Sequence, residues 1–170
     1  ALRKKYGPDI FIHWMPHQAS VDLLINNKFV DRVLPYNIEN VLRIQQEKFD
    51  ILFVLEIDTP ATLLANVVKA DEKFGFFFDN GSTSCFNKSA VPYLETAFLQ
   101  HLKLKNRKTY QELIYSVCEL DSYYNKERPI LNLTAKDEEY KNKFLLENNL
   151  LKDDKLIGIN IGSGGRWQSK

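Results

Sequence analysis

The chain has 170 residues, 44% of them hydrophobic and 26% charged, with six prolines and seven glycines, which excludes a wholly disordered or collagen-like polymer. Twenty-three Lys and Arg face 22 Asp and Glu, so the net charge of +1 gives no general argument for a nucleic acid or an anionic membrane as partner. Two cysteines, Cys85 and Cys118, are too few for a disulfide scaffold and read as reduced thiols, and no run of 18 apolar residues is available to span a membrane. The chain starts without Met in a helix-like pattern and stops after a glycine-rich turn. Both ends read as cut, and the expectation is a piece of a longer protein. Three Asn-x-Ser/Thr sites, at Asn80, Asn87 and Asn132, are a mild excess that no secretory signal accompanies.

In chain order, residues 2–6 read as the end of a helix closed by Gly7 and Pro8. Residues 10–14 read as a short buried strand, with Phe11 and Trp14 as core candidates. A helix is predicted over 18–27, an edge strand over 30–34, and a second helix over 38–48 with Ile38, Val41, Leu42 and Gln45 on one face. The clearest strand is 49–57, which has lost polar alternation as a strand covered on both faces does. A helix over 60–70 follows, with Thr59 as cap, Pro60 in its first turn, and Leu63, Leu64, Val67 and Val68 as its stripe. Residues 73–78 are the next strand, and 79–88 reads as irregular, since Asn80-Gly81 has a poor strand on its far side. Helices are predicted over 92–103 and 110–120, the latter opened by a Thr109/Glu112 capping box. A linker over 123–134, a charged helix over 135–149 and a buried strand over 155–161 complete the reading. The alternation of helix and strand predicts an α/β fold, a Rossmann-like parallel sheet with flanking helices.

The strongest chemical signal is the strand that runs into Gly162-Ser163-Gly164-Gly165 and on to Ser169-Lys170. Glycines let backbone N–H groups approach an anion closely, and a Ser hydroxyl and Lys ammonium add donors for phosphate. A plain strand-to-loop turn has the same composition, and neither P-loop nor GxGxxG spacing is present. His13 and His17 sit near one strand end and Asp58 at another, where open sheets place ligands. They read either as an acceptor-side cleft or, for Asp58, as a helix cap and, for the histidines, as packed or solvated loop residues. No metal-ligand spacing occurs among the histidines and cysteines. Lys103, Lys105, Arg107 and Lys108 form a basic cluster, read as a solvated loop or as a contact for an acidic partner.

The segment 158–170, with Phe29-Val30-Asp31-Arg32-Val33-Leu34, Phe49 to Leu55 followed by Leu63-Leu64-Ala65, and Ala70 to Phe76, resembles in order the lipopolysaccharide heptosyltransferase family, glycosyltransferase family nine. The resemblance implies a GT-B architecture of two Rossmann-like domains. Residues 1–128 would be most of the acceptor-side domain, and 129–170 the crossing segment and start of the nucleotide-sugar domain. It implies inverting transfer of a sugar, such as heptose, from a nucleotide-diphosphate donor to a lipopolysaccharide-core or other saccharide acceptor, without a cofactor or metal. Gly162, Ser163, Gly164, Gly165, Ser169 and Lys170 would face the donor phosphates, and the catalytic base would precede residue 1, so the piece alone would be inactive. It implies a cytoplasmic location, peripheral at the inner face of a bacterial membrane, with a saccharide or lipid-linked saccharide acceptor and no nucleic acid. The sequence departs from the family at Glu56-Ile57-Asp58-Thr59-Pro60, where a Gln or His-Gly and a basic residue are usual. The alternatives are a sugar-nucleotide-binding α/β domain without transfer activity and a module for an acidic partner.

Overall fold

Short apolar runs separated by capped helical segments set the architecture of the chain. The computed structural model describes residues 1–123, 130–151 and 154–159, in two units, Ala1–Leu131 and Asn132–Lys170. The first is a small mixed α/β domain with short parallel and mixed sheets.

Helix α1, Leu2–Tyr6, closes on Gly7 at φ 100. Strand β1, His13–Trp14, lies parallel to β2, Arg32–Val33, with His13 opposite Arg32 and Trp14 opposite Val33. Phe11 and Trp14 are exposed, 69% and 40%, and so are not the core residues expected. Between the two strands the predicted helix is only a 3₁₀ segment, Gln18–Leu23, that buries no residue. A short helix without a buried face lacks the tertiary support that would extend it.

Helix α2, Ile38–Gln46, is capped by Asn37, whose side chain accepts from the Asn40 N–H at 2.9 Å. Its buried face carries Asn40 and Ile44, whereas Ile38 and Leu42 of the predicted stripe are exposed. Asn40 fixes this rotation, because its Nδ2 donates to the Pro35 carbonyl at 2.8 Å. Strand β3, Lys48–Val54, pairs in parallel with β4, Lys69–Asp79, in register from Lys48 opposite Lys69 to Val54 opposite Gly75. Helix α3, Thr59–Val67, connects them. Its cap is Asp58 rather than Thr59, and Leu63 and Val67 face outward while Thr62, Ala65 and the adjacent Val68 are buried.

Strand β4 continues through a tight turn into β5, Ser82–Cys85, so residues 79–88, expected to be irregular, instead form an antiparallel hairpin. Asn80 at φ 43 and Gly81 at φ 90 supply the two positive dihedrals such a turn requires. The polar far strand is tolerated because it lies at the sheet edge. Helices α4, Val91–Phe98, and α5, Gln100–Lys105, replace one predicted helix, and Leu99 at φ −102 and ψ 102 separates them. Helix α6, Tyr110–Val117, opens with the reciprocal Thr109/Glu112 capping box. The main core joins Val54, Ala65, Phe76, Ala90 and Val117. A second one joins Leu34, Ile44 and Val68, with Met15, Phe49, Leu52 and Leu64 packed around it.

The second unit holds α7, Ala135–Glu147, opened by a Thr134/Asp137 capping box and burying none of its residues. The strand expected over 155–161 does not form within the described residues 154–159, where Leu156, Ile157 and Ile159 stand exposed. An apolar run alone does not make a strand when no neighbour receives its hydrogen bonds. Among the described residues no helix is long and apolar enough to cross a membrane.

Candidate functional site

Strand β3 runs into Leu55, Glu56, Ile57 and Asp58 before α3 begins. Leu55 and Ile57 pack against the core around Phe76, while Glu56 between them is exposed. Thr83 on β5 holds this segment, its Oγ1 donating to the Ile57 carbonyl at 3.1 Å. Tyr93 packs on the same core, with Tyr110 outside it. Tyr93 of α4 packs on Phe76 with ring centroids 5.3 Å apart and meets Tyr110 of α6 edge-on at 6.1 Å. Tyr110 itself remains 61% exposed.

The electrostatics follow this packing. Partial desolvation, then the neighbouring Asp58 charge, raises the Glu56 carboxyl above the usual carboxylate range. Burial, then the charge and hydrogen bond of Tyr110, with Glu56 adding a smaller part, push Tyr93 up to about 12. Among the described residues no hydrogen bond or ion pair engages the Glu56 carboxylate. An exposed carboxylate of raised proton affinity therefore lies just beyond a strand end, a position where open sheets place ligand-binding groups.

The residues singled out from sequence are dispersed. Asp58 Oδ1 accepts from the Ala61 N–H at 3.0 Å and so caps α3. His17 Nδ1 accepts from the Ala19 N–H at 3.3 Å and opens the 3₁₀ segment. The His13 ring sits edge-on against Phe11 at 5.1 Å and Phe49 at 5.5 Å. Its buried Nδ1 makes no hydrogen bond and lies 3.6 Å from Glu47, a residue that precedes β3. Burial pulls the His13 pKa down against the opposing pull of Glu47. The three therefore hold separate local positions. Gly162, Ser163, Gly164, Gly165, Ser169 and Lys170 lie outside the described residues.

In the basic cluster, Lys103, Lys105 and Arg107 are exposed. Lys108 is exposed as well, but its Nζ donates to Ser116 Oγ at 3.2 Å, and Ser116 donates to Asp121 Oδ1 at 2.5 Å. A shallow cavity of about 170 Å³ opens between Lys108, Glu112, Tyr115 and Asp121. The two cysteines are free thiols. Burial pushes Cys118 up to about 12 and raises Cys85, so both are held protonated and poorly nucleophilic. Among the described residues no group of three or more His, Cys, Asp or Glu side chains is arranged to hold a metal ion.

Sequence reasoning treats Glu56 only as a departure from a family pattern and does not single out Tyr93 or Tyr110. Nothing local links the 55–57 segment to positions 83 and 93; the β4–β5 hairpin and the α4 docking bring them to one core. Comparison with protein-family models, with curated proteins and with solved structures yielded no match.

Proposed function

We propose that this chain is the acceptor-side part of an inverting glycosyltransferase that uses a nucleotide-diphosphate sugar. The observation that carries the reading is the exposed Glu56 carboxylate just beyond the carboxyl end of a parallel strand, where open α/β sheets bind their ligands, with Tyr93 packed on the same core. The parallel pairs β1–β2 and β3–β4, with helical connections between them, support a Rossmann-like arrangement. The resemblance of segments between Phe29 and Lys170 to glycosyltransferase family nine supplies the reaction class. In this reading residues 1–128 belong to one GT-B domain and 129–170 begin the other. The 162–165 glycines with Ser169 and Lys170 receive the donor phosphates. The acceptor is a saccharide or lipid-linked saccharide, which places the protein at the cytoplasmic face of a membrane without spanning it.

Calorimetric titration of the full-length protein with ADP, GDP and UDP, beside a Lys170→Ala variant, tests this function. Micromolar binding of one diphosphate, weakened at least tenfold (about 1.4 kcal/mol) by the substitution, is expected. A folded protein that binds none of them overturns the donor assignment.

A further inference from the structure

We propose that the stretch from Phe98 to Arg107 is a membrane-docking surface, in which Phe98, Leu99 and Leu104 enter the headgroup region of an anionic bilayer while Lys103, Lys105 and Arg107 pair with lipid phosphates. The surface goes beyond the sugar-transfer reading and stands whether or not the chain transfers sugar.

The net charge of +1 conceals a strong local asymmetry. Four of the 23 Lys and Arg lie within residues 96–111, and none of the 22 Asp and Glu does. Lys103, Lys105 and Arg107 are exposed, and among the described residues none of the three forms an ion pair or a side-chain hydrogen bond. Lys108, the fourth, donates to Ser116. The carboxylates nearest along the chain are Glu95, exposed on α4, and Glu112, whose Oε2 accepts from the Thr109 N–H and hydroxyl. Such a cluster complements an anionic lipid surface, where each Lys or Arg adds about fivefold to the affinity.

The apolar side chains favour a bilayer over a nucleic acid or an acidic protein. Leu104 is 72% exposed, Phe98 65% and Leu99 42%. Successive helical residues are about 100° apart, so Leu104 points about 160° away from Leu102, two positions before it. Leu102 is half-buried, so Leu104 points outward, and Lys103 and Lys105 flank it on either side. Lysine stems lie along an inserted leucine and carry their ammonium groups up to the headgroups. A nucleic-acid backbone offers partners to the cations but leaves Leu104 in water, and an acidic protein would need a pocket matched to all three apolar side chains. A bilayer receives both kinds of group without one. Helix α5, Gln100–Lys105, is too short to form on a membrane as an isolated amphipathic helix, and the domain supplies the order instead. It packs on α4, which packs on α6 and, through Tyr93 and Leu94, on the main core. The turn after it is clamped as well. Asn106 Oδ1 accepts from the Lys108 N–H at 3.0 Å, and Asn106 Nδ2 donates to the Lys108 carbonyl at 2.9 Å, so the residue between them, Arg107, is carried on a fixed loop. A surface ordered in advance loses little conformational freedom on docking.

Sedimentation of the full-length protein with extruded vesicles tests the surface, comparing phosphatidylcholine alone with phosphatidylcholine holding about one-third phosphatidylglycerol. The anionic vesicles are expected to bind about tenfold more tightly or better. Lys103→Glu, Lys105→Glu and Arg107→Glu together should weaken anionic-vesicle binding about 100-fold or more. Leu104→Ser should weaken it about tenfold, and Leu104→Phe should retain it. All four positions are exposed, so every variant should keep the circular dichroism of the parent. Equal binding to the two kinds of vesicle, or unchanged binding by a folded Leu104→Ser protein, overturns the inference. Duplex DNA or polyglutamate bound more tightly than the anionic vesicles through the same three cations overturns it too, and makes the cluster a polyanion contact. So does a dimer in analytical ultracentrifugation that Leu104→Ser dissociates, which makes the apolar patch a contact between copies of the chain. The two readings fail separately. Vesicle binding that depends on Leu104, without any diphosphate binding, keeps the docking surface and sinks the donor assignment. Diphosphate binding that depends on Lys170, without vesicle binding, does the reverse.

Discussion

Replacing Gly75 by Ala should cost this fold a large share of its stability. Gly75 has φ +96, and a Cβ built there would lie 1.8 Å from the Val54 carbonyl oxygen and 2.8 Å from its carbon. Val54 is the residue paired with Gly75 across the parallel β3–β4 ladder and is itself 7% exposed in the core. Carbon and oxygen need more than 3 Å, so the strands must part by over 1 Å of their roughly 4.8 Å spacing. The left-handed backbone adds about 1–2 kcal/mol for a residue with a side chain. The displacement also strains the bond from the Gly75 N–H to Asn87 Oδ1, 2.9 Å, and that from the Phe86 N–H to the Gly75 carbonyl, 2.8 Å. Two buried bonds lost with their groups left unsatisfied cost about 1–3 kcal/mol each. The sum is about 3–8 kcal/mol, against a total of about 5–15 kcal/mol for a domain of this kind. Gly81→Ala is the internal control. Its φ is +90 but nothing lies within 4 Å of the added carbon, so only the backbone cost of about 1–2 kcal/mol applies. Urea unfolding followed by far-UV circular dichroism compares the two. A Gly75→Ala protein within about 1 kcal/mol of the parent, or no less stable than Gly81→Ala, would refute the close approach and the reasoning built on it.

Asn87→Ala should cost about 2–4 kcal/mol in the same assay, because Asn87 also donates to the Val117 carbonyl and to the exposed Glu119 Oε1, both at 3.0 Å, and the groups of buried Gly75 and Val117 would be left unpaired. Glu56→Gln should stabilise the protein at neutral pH. A carboxyl whose folded pKa is raised contributes fully below its ordinary value of 4.5 and loses that contribution as pH rises through the folded value, so the gain of the Gln variant should vanish in acid. His13 gives the opposite slope. Its lowered folded pKa, beside Glu47, Arg32 and Asp31, makes stability complete above the ordinary 6.5 and lost as pH falls through the folded value. Thermal unfolding between about pH 7.5 and 5 should show that decline, and His13→Gln should flatten it.

Where a signal is local, the sequence carries it. The Thr109/Glu112 box, the apolar run that becomes β3 and the Gly7 stop all depend on neighbours within a few positions, and all three appear in the structure. The Asn80-Gly81 turn was as strong a signal, yet a polar Ser82-Thr83-Ser84-Cys85 segment obscured it, because a strand needs an apolar face only where something covers it. Helix rotation was not legible. The Ile38–Leu42 stripe satisfies helical periodicity, but the bond from Asn40 to Pro35 turns a different face inward. The site was the least legible part. A cap for α3 was legible, though at Thr59 with Asp58 as one of two readings, whereas the packing of Tyr93 with Leu55 and Ile57 exists only after the hairpin and α4 have docked on Phe76.

The sheet organisation separates where the protein is held from where it acts. Among the described residues β1 is paired only with β2, and β3 only with β4, so no backbone ladder joins the first parallel pair to the larger sheet. What joins them is side-chain packing, with the His13 ring on Phe49 and Met15 and Leu34 in the smaller core beside Leu52 and Ile44. Such a junction depends on few contacts and opens more readily than a continuous ladder. Protonation of His13 acts at that junction, near the start of β3. Glu56 lies beyond the other end of the strand, in a segment held by the Thr83 bond to Ile57 and by packing of Leu55 and Ile57 on the core that Tyr93 also joins. Mild acid should therefore loosen the β1–β2 pair before it disturbs the strand-end constellation, and hydrogen exchange should show residues 12–15 losing protection before residues 52–54 as pH falls.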